Sequence, residues 1–173
     1  MSRSRLSVLP IVWDHYETLN GESGGNSRVD WAVTVVLPAV AGVAVGYFDV
    51  KIQEVGNLIA GLSILTGLLF AVVIFVFQLR LQVASDPRIP KGSLVPNLLD
   101  ELFRNVLYAV LAGLVATVVI VVAATTRVVT PDRVLQPPAA VWAALIVAAT
   151  AHLIVVLLMC LKRLRAVYAK LTI

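Results

Sequence analysis

Charge is what this sequence has least of. Of its 173 residues 14% are Asp, Glu, Lys or Arg and 60% are hydrophobic, where an average soluble domain is roughly a quarter charged. The ten acidic residues all fall at the ends of apolar runs or outside them, which excludes the buried carboxylate that an ion-coupled pump needs. One cysteine, Cys160, rules out a disulfide framework within the chain and leaves no thiolate metal site. The two histidines, His15 and His152, belong to different environments, so no metal centre is expected. No Gly-rich phosphate loop, nucleophile elbow or HExxH stretch occurs, and no pair of membrane aspartates for intramembrane proteolysis. No basic and aromatic series forms a nucleic-acid groove. The expectation is therefore a protein without catalytic residues or cofactor that makes no direct contact with nucleic acid. The first thirty residues also lack a 7 to 15 residue apolar h-region, so no conventional signal peptide is expected ahead of the first apolar run. Cleavage within that run, at Ala39-Val40-Ala41, is disfavoured by the length of chain before it.

What is present is the complement of that shortage. Val55 to Leu79 is a run of twenty-five uncharged residues between Glu54 and Arg80; as a helix it reaches about 37 Å, more than the roughly 30 Å of hydrocarbon in a bilayer. Three further charge-free runs lie between Asp30 and Asp49, Arg104 and Arg127, and Arg133 and Lys162. The fold class expected is an all-α integral membrane protein, a four-transmembrane-helix bundle with spans near 31–48, 55–79, 105–126 and 139–161. A tail over residues 1–30 precedes it, and a short basic segment closes the transmembrane domain of residues 31–173. Eleven of the fourteen Lys and Arg flank the tail side, the second connection and the C-terminal end, and only Lys51, Arg127 and Arg133 lie in the other two connections. The positive-inside rule then places both termini in the cytoplasm of a cell whose inner membrane the chain crosses four times.

The tail holds an apolar and aromatic cluster, Leu9, Ile11, Val12, Trp13 and Tyr16, followed by the tether GESGGNS. Either it lies on the membrane surface as an amphipathic stretch, or Trp13, Asp14 and Tyr16 dock it into a cytoplasmic partner or into the protein's own inner mouth. Pro38 in the first span has no N–H, so the Thr34 carbonyl loses its helical partner and a kink is expected. Gly42 and Gly46 form a GxxxG pair, expected to pack on the second span because at most six residues join the two. The second span repeats small residues at Ser63, Gly67 and Ala71, with Thr66 adding a polar group, and runs on until Asp86-Pro87 stops it. The third span follows a cap expected at Pro96-Asn97; it pairs Asp100 with Arg104 and presents Ala109, Gly113 and Thr117. The fourth aligns Ala140, Ala144 and Ala148 with His152, an ionisable group near the middle of a membrane segment. Such a residue marks a pore, gate or proton sensor, or else it is a neutral imidazole satisfied by a hydroxyl or carbonyl of a neighbouring helix.

The tail pattern IVWDHYETL, the Asp30-Trp31 lead into the first span and the ELFRNVLYAVL lead into the third resemble a group of small four-span bacterial proteins. In size and layout the chain is similar to membrane effectors of anti-phage defence such as the channel component of the Hailong system, whose cytoplasmic nucleotidyltransferase restrains a membrane partner. The resemblance implies a homo-oligomeric ion channel or pore held shut by a cytoplasmic regulatory protein, and carries over no functional residue. Small residues on more than one face of each helix also suggest a homo-oligomer, a tetramer on the precedent of small channels. In it Ser63, Thr66 and His152 would line a narrow path, and Gly42, Gly46, Gly67 and Gly113 would serve helix packing. A second reading is a non-conducting membrane anchor that recruits a cytoplasmic protein through its tail and the loop from Arg80 to Arg104.

Overall fold

A long apolar run has one way to satisfy its backbone within the segment away from water, the α-helix, and the structure, a computed structural model, is helical throughout its long elements. It describes residues 8–19, 27–87, 94–131 and 135–171. Five helices follow one another: α1 (Leu9–Leu19), α2 (Ser27–Tyr47), α3 (Val55–Ser85), α4 (Leu94–Thr125) and α5 (Ala140–Leu171). Three of these, α3, α4 and α5, are long and apolar enough to cross a membrane, while the apolar stretch of α2, Trp31–Tyr47, is shorter, at about 26 Å. Large apolar side chains such as Ile64, Leu68, Phe75, Val118 and Leu158 stand at least half exposed on the single chain, a surface suited to lipid rather than water.

The helix limits follow local chemistry. Asp86, extended before Pro87, ends α3 as the Asp-Pro pair implies. Instead of starting at an Asn97 cap, α4 begins at Leu94 and carries Pro96 in its first turn, where a missing N–H costs nothing because that donor has no helical acceptor. At the end of α2 the Val50 N–H reaches the Val45 carbonyl (3.1 Å) and the Asp49 N–H the Gly46 carbonyl (3.4 Å). This is a Schellman closure, with Asp49 at φ 47° in the place usually given to glycine. The connection from α4 to α5 is pinned by an isolated antiparallel bridge between Val129 and Leu135 and by Arg127 Nε donating to the Gln136 carbonyl at 2.7 Å. The tether over 21–26 and most of the proline-rich connection, 88–93, lie outside the described residues. Because α2 starts at Ser27, the expected boundary at residue 30 falls inside its first turn.

The long helices form an open row in the order α2, α5, α4, α3, each touching only its neighbours, with α1 laid against α4 and α2. This corrects the expected hairpin: among the described residues α2 makes no contact with α3. Short connections favour adjacent helices, but the close approach that small residues permit on α2 is taken by α5 instead. Gly42 and Gly46 accordingly meet α5. A Cβ on Gly42 would sit 2.8 Å from the Ala144 carbonyl oxygen and 2.9 Å from Ala148 Cβ, and one on Gly46 would lie 3.4 Å from Ala144 Cβ. The alanine stripe of α5 and the glycine pair of α2 are two halves of one close crossing. On the other side Gly113 of α4 faces Thr66 of α3, whose Oγ1 would lie 2.6 Å from an added Cβ. Gly67 meets nothing within 4 Å and stands on the outer side of the row.

The basic ends of the helices are tied together through α4. Asp100 takes a two-pronged hydrogen bond from Arg80 of α3 (Nε–Oδ1 2.6 Å, NH2–Oδ2 3.2 Å), Glu101 pairs with Arg163 of α5 at 2.8 Å, and Arg104 lies 3.8 Å from Glu17 of α1. The pair expected between Asp100 and Arg104 is replaced by bridges to two different helices, since each side chain has an opposite charge closer to its own face. A small second core of Val83, Val95, Leu99 and Val167 backs these bridges.

Candidate functional site

Three positions organise the interior. Pro38 leaves the Thr34 carbonyl without its helical N–H, and His152 of α5 fills the vacancy with Nδ1 2.9 Å from that oxygen. A carbonyl only accepts, so Nδ1 carries the proton, and in the neutral ring Nε2 is then the acceptor. The Tyr108 hydroxyl of α4 lies 2.8 Å from Nε2 and donates to it. One imidazole therefore clamps three helices, with both nitrogens used. Thr34 is fully buried and its hydroxyl also reaches Met159 Sδ at 3.4 Å.

Below this clamp sits the tail helix. His15 of α1 is fully buried; its ring stacks on Tyr108 with centroids 3.9 Å apart and planes within 5°, and its Nδ1 is 2.7 Å from Asn105 Oδ1. Asn105 donates its own amide to the Glu101 carbonyl at 2.9 Å, which fixes the oxygen toward His15 and makes His15 Nδ1 the donor. Burial holds the His15 pKa down to about 4 from an ordinary 6.5. The Asn105 hydrogen bond opposes that shift, and His152 and Arg163 add to it. Tyr16 packs edge-on against both His15 and Tyr108. The result is a continuous polar thread, Asn105–His15–Tyr108–His152–Thr34, running from the tail helix into the row.

Alongside the thread, α2, α5 and α4 form an open, mostly apolar groove of about 460 Å³ whose wall includes Pro38, Ala112, Val115, Ala148 and His152, with Val12 and Tyr16 of α1 at its end. Of the tail residues singled out from the sequence, Tyr16 faces this groove while Trp13 and Asp14 point away from the helices, Trp13 being 76% exposed. The pore or gate candidates do not converge. His152 is in the clamp, Thr66 is buried against Gly113 with no hydrogen-bond partner for Oγ1, and Ser63 is exposed on the outer side of α3. Among the described residues no group of three His, Cys, Asp or Glu stands close enough to hold a metal ion.

The sequence reading missed His15, Asn105 and Tyr108. Two signals pointed to Asn105 and Tyr108: the His152 imidazole in an apolar segment needs two partners, and these two residues, three apart on one face of α4, are polar groups at the start of an otherwise apolar run. Comparison with protein-family models, with curated proteins and with solved structures gave no match.

Proposed function

We propose that the protein is a non-enzymatic membrane effector that assembles as a homo-oligomer into a pore or channel and is restrained by its own N-terminal helix. In this reading the chain crosses a bacterial inner membrane four times with both ends cytoplasmic, and a cytoplasmic partner that engages the tail is the trigger, as in the anti-phage systems it resembles in layout. The observation that carries the reading is the seating of α1: an eleven-residue helix on a separate tether buries a histidine completely against α4. It is also bridged to that helix through Glu17 and Arg104. A helix placed this way lines one end of the groove between α2, α5 and α4 and touches the row only through α4 and α2. The test is reconstitution of the full chain and of a variant lacking residues 1–26, with subunit counting by native mass. Conductance that rises on deletion supports the reading; silent bilayers from a stable monomer refute it.

The non-conducting anchor is favoured by one specific observation, the satisfaction of both His152 nitrogens inside a single chain. That arrangement leaves the imidazole no spare group for a passing ion. Under this reading deletion of α1 lowers stability or partner recruitment and leaves conductance at zero.

A further inference from the structure

We propose that α1 is a proton-released latch, its hold on the helix row set by the charge on His15. The inference builds on α1 as the restraining element, but its test reads docking itself, so it stands or falls apart from pore formation.

The geometry makes the seat suitable for a neutral ring and unsuitable for a charged one. His15 is fully enclosed, one ring face lies flat on Tyr108, and the hydrogen bond to Asn105 is made by Nδ1 as donor, so a second proton adds charge without improving that bond. The charged and titratable groups around the site do not welcome a cation. From α5 it meets the guanidinium of Arg163, which disfavours a further positive charge, and the His152 ring, whose two nitrogens are already taken by Thr34 and Tyr108. From α4 it meets Tyr108, Asn105 and the Arg104–Glu17 bridge, and Glu101 is already committed to Arg163. On α1 itself Asp14 and Glu17 are exposed. The described side chains of α2, Trp31 to Tyr47, include no Asp, Glu, Lys or Arg. Released into solvent, the same imidazole gains full hydration and an ordinary affinity for protons.

The sign follows from linkage. A histidine held at about 4 when docked and at 6.5 when free stabilises docking fully above pH 6.5 and progressively less as pH falls toward 4. The docking constant drops about fourfold at pH 6 and about thirtyfold at pH 5 relative to pH 7.5.

The experiment is amide hydrogen exchange of α1 in the full-length protein in lipid nanodiscs at pH 7.5, 6 and 5. Rates are divided by the intrinsic rate at each pH to give the opening constant. The expected result is an opening constant that rises about fourfold and then about thirtyfold in the wild type and stays level in His15→Gln, which keeps a donor for Asn105 and does not titrate. His15→Phe, which keeps the stack on Tyr108, is the second variant; either one held at pH 5 supports the latch. A wild-type opening constant indifferent to pH overturns it, as does the same rise in a docked His15→Gln, which would assign the effect to another group. Where neither variant docks, the His15 ring resonance decides: protonation in step with the opening supports the latch, and a ring that stays neutral while α1 leaves overturns it. Release by acid in protein that conducts at neither pH leaves the latch standing and removes the pore.

Discussion

Replacing His152 with leucine removes the hydrogen bonds of its ring while leaving much of its bulk, and the structure names both groups that lose a partner. The Tyr108 hydroxyl loses its acceptor, and the Thr34 carbonyl loses the N–H that substitutes for the one missing from Pro38. A buried polar group deprived of its partner costs about 1–3 kcal/mol, and hydrogen bonds between membrane helices average about 0.6 and reach about 1.7 kcal/mol, so the expected loss is about 2–3 kcal/mol. The mechanism makes a sharper demand on a second substitution. Pro38→Ala returns a backbone N–H four residues beyond Thr34, so in the leucine background the carbonyl regains a donor, whereas with His152 present the new N–H competes with the imidazole for the same oxygen. The helix-propensity gain of Pro38→Ala appears in both backgrounds and cancels in the double-mutant cycle. The coupling that remains is expected at about 1–2 kcal/mol, the double variant being less damaged than the sum of the two. Unfolding by SDS in mixed micelles, followed by far-ultraviolet circular dichroism, reads all four proteins. Additivity within about 0.5 kcal/mol would refute the claim that His152 replaces the missing proline donor.

Two further substitutions test the crossings on either side of the row. Gly42→Ala puts a methyl 2.8 Å from a backbone oxygen of α5, so α2 must back away by about half an ångström at a cost of about 1–3 kcal/mol. Gly67→Ala meets nothing within 4 Å and should be neutral to slightly stabilising in the monomer, both read by the same SDS titration. Thr66→Val exchanges a buried hydroxyl without a hydrogen-bond partner for a methyl of similar shape and should raise stability by about 1 kcal/mol; a loss of stability would mean that the hydroxyl is bonded after all.

The helices were legible in the sequence because their signal is local. A charge-free run such as 55–79, with a clear stop at Asp86-Pro87, needs no tertiary information, and the structure carries that helix to Ser85. The orphaned Thr34 carbonyl was legible for the same reason, since Pro38 alone dictates it. Neighbour relations were not. A GxxxG pair says that something approaches closely and not which helix does, and a short connection sets how far apart two helix ends lie without deciding which faces pack. The ionic contacts failed in a similar way: Asp100 and Arg104 are ideally spaced on one helix, yet Asp100 takes a two-pronged partner from α3 in Arg80 and Arg104 turns to Glu17 of α1. His15 was not legible as a site because the apolar and aromatic cluster around it does not tell which side chain will be buried; only the cradle formed by Asn105 and Tyr108 selects it.

The open row decides where a second copy would have to bind. A closed four-helix bundle would hide its small residues inside, but here Ser63 and Gly67 lie on the exposed side of α3, where Ser63 sits among large apolar side chains such as Ile64 and Leu68. The small residues of the other crossings are already used: Gly42 and Gly46 by α5, Gly113 by α3. Of the two edges of the row, α2 and α3, the α3 edge carries unused Gly and Ser, and two α3 helices meeting there would bring Ser63 and Gly67 of one copy against those of the next. Single cysteines at these two positions, in a Cys160→Ala background so that the native thiol cannot compete, are expected to give disulfide-linked dimers in native membranes under mild oxidation. A cysteine at Thr66, buried against α4, should not. Cross-linking at Thr66 as strong as at Ser63, or none at Ser63 and Gly67 in membranes where native mass shows an oligomer, would place the interface elsewhere and separate the exposed face of α3 from assembly.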